Sequence, residues 1–180
     1  MDKLLLFLLV HFTCSSKADM FKKTPFSFDS EANYNCPQSG KLPYMLTDML
    51  LETLNASRVS ATGGVSMDRA FTNKMTLSLE LKQWLNDQWE TKIAKVDKDQ
   101  ACTSVNLLLG KPFQNVCRAA GIPPGKCPIS KGTYRVVNFI VDIGAVPVLK
   151  MLSGRFKIIL QLRINRTPLF CSEHIFKITQ

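Results

Sequence analysis

The sequence predicts an all-β chain folded as an antiparallel sandwich or cup, and three observations predict it. Apolar and polar residues alternate over two long stretches, several further β-rich runs are joined by turn-forming residues, and only one segment has helical spacing. In MTLSLELKQWL, Met75, Leu77, Leu79 and Leu81 alternate with Thr76, Ser78, Glu80 and Lys82, which places all four apolar side chains on one face of a sheet. In GRFKIILQLRIN, Phe156, Ile158, Leu160, Leu162 and Ile164 alternate with Arg155, Lys157, Ile159, Gln161, Arg163 and Asn165. The second pattern turns Asn165 outward.

The remaining predicted strands run from Pro25 to Asn33, Asp48 to Leu54, Arg58 to Val65, Gln88 to Val96, Thr133 to Val141 and Leu169 to Ile178. Turn signals are ATGG at Ala61 to Gly64 and NRTP at Asn165 to Pro168. Between Ala101 and Ala120, Val105, Leu108, Leu109, Phe113, Val116 and Ala120 recur at helical spacing. Pro112 does not fit inside a regular helix, so a kink or two short helices meeting near Gly110 is expected. The segment GIPPGKCPISKGTY, Gly121 to Tyr134, then packs three prolines, three glycines and a cysteine into fourteen residues, which makes it an ordered loop pinned through Cys127.

The first residues read as a secretory signal peptide covering residues 1–18. A charged start, an apolar core of about nine residues and the small residues Ser16 and Ala18 lead to a cut before Asp19. The apolar run is well short of the roughly 20 residues a spanning helix needs. Removing 18 of the 180 residues leaves 162, the length of one domain over residues 19–180. Lys plus Arg then fall from 23 to 21 and Asp plus Glu from 14 to 13, a net charge of about +8. These basic residues are scattered along the chain, and secretion argues against nucleic acid as a partner.

In an oxidising compartment, cysteines are read as disulfides before they are read as metal ligands. Cys14 leaves with the leader; Cys36, Cys102, Cys117, Cys127 and Cys171 remain, an odd number that allows at most two internal bridges. Their connectivity does not follow from the sequence. No CxxC occurs, so no metal site and no cofactor is expected. Asn55-Ala56-Ser57 and Asn165-Arg166-Thr167 are candidate glycosylation sites.

Enzymatic motifs are missing. Beyond the leader the chain has one histidine, His174, on a predicted strand, and no GxSxG, HExxH, Walker loop or GxGxxG. A non-enzymatic chain is expected, with no catalytic residue. The connection IGAVPVLKMLSG, Ile143 to Gly154, is unusually apolar for a link between strands. Its side chains either fold back over the core or are offered to a lipid or a partner.

At CRAAGIPPGKCPISKGTYRVVNFIV the chain resembles the ganglioside-activator branch of the ML lipid-recognition superfamily, and especially insect secreted proteins of the chemosensory CheB type. Cys117, Ile122, Pro123, Gly125, Cys127 and Pro128 carry the likeness, followed by Gly132, Thr133 and Tyr134. It continues through VPVLKMLSGRFKIILQL to Cys171, over the last eighty residues or so. The resemblance implies a β-cup: two antiparallel sheets splayed apart around an apolar, lipid-sized cavity, with apolar loops at the rim. It also implies disulfides Cys117–Cys127 and Cys36–Cys171. In the chain-entropy model these are worth roughly 2.5 to 3 kcal/mol and on the order of 5 kcal/mol. Cys102 is then left over, either buried and inert or paired between chains.

The expected function is therefore that of a secreted, extracellular carrier or presenter of a lipid or lipid-like semiochemical. Leu77, Leu79, Leu81, Phe156, Ile158, Leu160 and Leu162 are expected to face the cavity. Val146, Val148, Leu149, Met151 and Leu152 are expected to form its lip. Partners expected are a hydrophobic small molecule and a membrane surface or receptor. The rival expectation is an extracellular interaction module, co-receptor or immune recognition protein, with a filled core; a small hydrolase dependent on His174 is a third.

Overall fold

The computed structural model describes residues 27–37, 42–143 and 152–180. The predicted leader and cleavage point lie outside them. Among these residues, eight strands and one helix follow in the order β1 Ser27–Asn35, β2 Tyr44–Asn55, β3 Arg58–Met67, β4 Thr76–Leu85, β5 Gln88–Lys98, α1 Ala101–Ala119, β6 Gly132–Asp142, β7 Gly154–Ile164 and β8 Thr167–Thr179. Every strand pair is antiparallel. One sheet has the order β1-β8-β7-β4-β5 and the other β2-β3-β6. This is the all-β sandwich with one kinked helix that the alternation predicts.

The hairpins follow local turn chemistry. Asn86 and Asp87, both at positive φ (50° and 61°), join β4 to β5 in the manner of a two-residue turn with left-handed central residues. At the β2–β3 turn the Asn55 side-chain oxygen accepts the backbone N–H groups of Ser57 and Arg58, each at 3.0 Å. Asn165, at φ 56°, begins the β7–β8 turn.

Two sequence expectations shift here. β2 begins at Tyr44 rather than Asp48, because Asp48 (φ 48°) sits in an irregularity between the Thr47 and Leu50 pairings that breaks the period of two. ATGG is no turn: Ala61 to Gly64 lie in the middle of β3. Gly63 has φ 151°, and a Cβ added there would come within 2.9 Å of the Met49 Cα. One added at Gly64 would come within 2.5 Å of the Tyr134 carbonyl oxygen. The glycine pair thus lets three irregular strands cross at one level, since β6 also slips register between the partners of Ala61 and Gly63.

On one side of the sandwich the sheets are tied together. The Asn35 amide donates to the Leu46 carbonyl at 3.1 Å and its oxygen accepts the Leu46 N–H at 2.9 Å, so one side chain imitates a strand pairing between β1 and β2. Thr53 adds a hydrogen bond to the Phe28 carbonyl at 3.2 Å. The opposite strands, β5 and β6, end their sheets on the other side, and α1 packs against β4 and β6.

Helix α1 begins without a side-chain cap at Gln100; its first turn is held instead by tertiary contacts. Ala101 N–H donates to Met75 O at 2.9 Å, and Thr103 N–H to Asn73 Oδ1 at 2.9 Å. Gly110 (φ 51°, ψ −128°) breaks the helix two residues before Pro112. The end is a reversal with Gly121 at φ 74° and Ile122 N–H bonded to Cys117 O at 2.8 Å.

Cys36 and Cys171 form one disulfide, with Cα atoms 5.4 Å apart. The other differs from the expected pairing: Cys127 is bonded to Cys102, with Cα atoms 6.0 Å apart, and Cys117 is a free, buried thiol. The Pro-Pro-Gly loop does not reverse tightly onto Cys117. It travels back along the helix to its first turn, where Asn106 donates to Cys127 Sγ at 3.7 Å and Ile129 pairs with Phe71. Ten loop residues reach up to about 33 Å when extended. That exceeds the roughly 22 Å of helix between positions 102 and 117. The nearest cysteine in sequence is therefore not the nearest in space.

Candidate functional site

The inward pairs of the β4–β7 ladder are Leu77 with Leu162, Leu79 with Leu160, Leu81 with Ile158 and Gln83 with Phe156. The interior changes character along this ladder. Leu81, Ile158 and Phe156 belong to a closed core in which the sheets meet around Phe28, Phe156 and Phe176. Phe176 stacks on Phe28 at 5.2 Å and on Phe156 at 5.8 Å between ring centroids. Phe156 is 1% exposed. These three expected cavity residues therefore lie in the closed core and not in the lining of the cavity beside it; rings from β1, β7 and β8 fill the space.

Leu77, Leu79, Leu160 and Leu162 do line one. Beyond Leu79 the sheets stand apart around a cavity of about 420 Å³, within the size range of small-molecule sites. The small sheet contributes Leu46, Met49, Val65 and Met67 and, at its middle, the bare backbone of Gly63 and Gly64. Helix α1 forms a further wall through Val105, Leu108, Leu109, Phe113 and Val116. Tyr44, Phe71, Ile129 and Phe170 close the end.

The lip also differs from expectation. Val146, Val148, Leu149 and Met151 lie outside the described residues. Leu152 does not border the cavity: with Ile143 it packs against the closed phenylalanine core. Ile143 is tied there by its N–H to Ser57 O at 2.8 Å. The apolar border seen at the cavity is helical, since Leu108 and Leu109 line it while 48% and 52% exposed.

The wall is almost wholly carbon, and its hydroxyls are already engaged. Tyr44 donates to Ala70 O at 3.0 Å and Tyr134 to Ser130 O at 2.9 Å. Burial pushes the Tyr44 phenol up to about 12, so it stays neutral. Cys117 borders the cavity, and burial raises its pKa, which keeps the thiol protonated. Such a wall offers dispersion and dehydration to an apolar ligand, and its one charged lining residue, Arg135, is exposed and paired with Asp48 at 3.1 Å.

His174 does not reach the cavity lining. It lies opposite Asn33 in the β1–β8 ladder, and the Asn33 side-chain oxygen accepts from its Nδ1 at 2.8 Å. That leaves Nε2 to accept the Ser172 hydroxyl at 3.0 Å. The order Ser–His–Asn resembles a nucleophile relay, but Ser172 has no exposed surface and does not border the cavity, so no ester can reach its oxygen in this fold. Burial lowers the His174 pKa below 6.5. Where both states are neutral the histidine adds no pH dependence. As pH falls through 6.5 the unfolded chain takes up the proton first, and stability drops. Urea titrations at descending pH are expected to show this decline, and His174→Gln is expected to flatten it.

Asn55 and Asn165, the two sequon asparagines, are exposed at hairpin turns. Among the described residues no group of three or more His, Cys, Asp or Glu is placed to hold a metal ion. Among them, too, no helix is long and apolar enough to cross a membrane.

No protein-family model matches the sequence, and no curated protein matches it. Among solved structures the chain is similar to chicken MD-1 complexed with lipid IVa, with 11% identity, 87% of this chain and 93% of that chain covered, and a TM-score of 0.36.

Proposed function

We propose that this chain is a secreted, non-enzymatic carrier of a hydrophobic ligand held between its two sheets. The observation that carries the reading is the cavity of about 420 Å³ whose lining is apolar and whose tyrosine hydroxyls are already bonded within the protein. At about 30 Å³ for a water-sized group, that volume takes roughly fourteen such groups, the scale of one alkyl chain. Each buried methylene contributes about 0.8 kcal/mol, enough in sum for tight binding after the cost of immobilising the chain. A polar head belongs at the mouth, where solvent satisfies it. Two disulfides suit an oxidising compartment and support the secreted reading. Glycans at Asn55 and Asn165 are part of the same proposal, as is the semiochemical class of ligand that the Cys117-to-Tyr134 motif implies.

Cys117 gives the test an internal reporter. Purified protein, stripped by organic extraction, is expected to take up a fluorescent fatty acid near one per chain. Loading is expected to slow labelling of Cys117 by an apolar maleimide several-fold. Leu160→Trp, which projects an indole into the cavity, is expected to weaken uptake at least tenfold while leaving the chain folded. No uptake by the wild type, or equal uptake by Leu160→Trp, would overturn the carrier reading.

A further inference from the structure

The turn of α1 before its break presents three consecutive leucines to the outside. Leu107 is 79% exposed, Leu108 48% and Leu109 52%. Leu108 and Leu109 also line the cavity, so this exposed surface is continuous with the cavity's own wall. A run of three exposed aliphatic side chains on a helix that ought to hide its apolar face calls for something to cover it.

Charge identifies the cover. From Ala101 to Val141, through α1, the pinned loop and most of β6, the sequence has no Asp or Glu. It has Lys111, Arg118, Lys126, Lys131 and Arg135, all exposed. The basic residues that look scattered along the chain are therefore partly sorted by the fold. The outer face of the five-stranded sheet behaves differently: Arg155 meets Glu31, Lys157 meets Glu173 at 3.1 Å and Arg163 meets Asp97 at 3.1 Å, so its charges cancel locally. Among the described residues, Arg135 alone of the five cations has a carboxylate partner, Asp48 on β2 at 3.1 Å.

We infer that the exposed leucines before the α1 break and the cations of this acid-free segment form a docking surface for an anionic lipid bilayer. Leu107 inserts among the acyl chains, and Lys111, Arg118, Lys126 and Lys131 meet the head groups. Exposed aliphatic residues on a segment whose only formal charges are Lys and Arg suit the bilayer interface, where apolar burial and attraction to anionic lipid add together. A protein partner is the poorer match. Protein hot spots are rich in Trp and Tyr seated in pockets, whereas the Trp84–Trp89 pair lies elsewhere, under Arg155 and Lys157. The inference deepens the carrier reading, on which it rests for its purpose: a chain could pass between bilayer and cavity along Leu108 and Leu109 without crossing water.

Sedimentation with vesicles tests it. The full chain is expected to bind vesicles of phosphatidylcholine with phosphatidylglycerol at least tenfold more tightly than phosphatidylcholine alone, and to lose that preference as salt rises. Leu107→Asp, and separately Lys111→Glu with Lys131→Glu, are expected to weaken binding about tenfold or more. Neither change touches a cavity residue, so fatty-acid uptake in vesicle-free solution is expected to stay at the wild-type level. Equal binding to both vesicles, no binding, or an unchanged Leu107→Asp variant overturns the proposal. So does a dimer in solution that Leu107→Asp dissolves with no vesicle association. Vesicle binding without fatty-acid uptake supports the docking surface and removes the carrier reading, so the two fail separately.

Discussion

Replacing Cys36 and Cys171 together by serine is expected to lower the free energy of unfolding by about 5 kcal/mol, the largest single loss available to this fold. The bridge spans 135 residues, so it removes more freedom from the unfolded chain than the 25-residue Cys102–Cys127 bridge, worth about 3.5 kcal/mol in the same treatment. It also extends a strand pairing, since Cys36 N–H donates to Cys171 O at 3.1 Å just past the end of β1. Domains of ordinary stability hold about 5–15 kcal/mol in total. The double variant is therefore expected to be partly unfolded near body temperature. Urea midpoints, with the slope checked for a changed denatured state, measure the effect. A loss under about 2 kcal/mol would show that the unfolded chain keeps those ends close without the bond.

Phe156→Ala is expected to cost about 3–5 kcal/mol, because its ring is enclosed and packed against Phe176, and its removal opens a new void. Leu79→Ala removes a side chain that already borders open space, so the transfer term dominates and about 2 kcal/mol or less is expected. Both residues look inward from neighbouring strands of one sheet. Paired denaturation curves for the two variants thus compare a closed interior with a hollow one, and equal losses would contradict the division.

Much of this architecture could be read from alternation. Leu77, Leu79, Leu160 and Leu162 lie on one face and meet across the β4–β7 ladder as their spacing requires. Leu81, Ile158 and Phe156 obey the same pattern, and nothing in their own strands distinguishes them. What separates the two sets is the opposite wall, where Leu46, Met49, Val65 and Met67 border the cavity while Val59 and Leu51 pack into the closed core. The Gly63–Gly64 pair inside a β-rich run was the available signal, since glycine within a strand marks an irregularity or a close approach. The helical spacing of Val105, Phe113 and Val116 identified an apolar face without saying that the face borders a cavity. Disulfide connectivity followed chain length and loop path, which composition does not contain.

The arrangement also separates what must be conserved from what is free to drift. Because the stacked rings at one end and the long sulfur cross-link hold the scaffold, side chains around the opening can be exchanged at modest energetic expense. A lineage carrying this framework could retune itself to longer, shorter or branched cargo by a few substitutions at Leu46, Met49, Val65 and Met67, without rebuilding the parts that keep it folded.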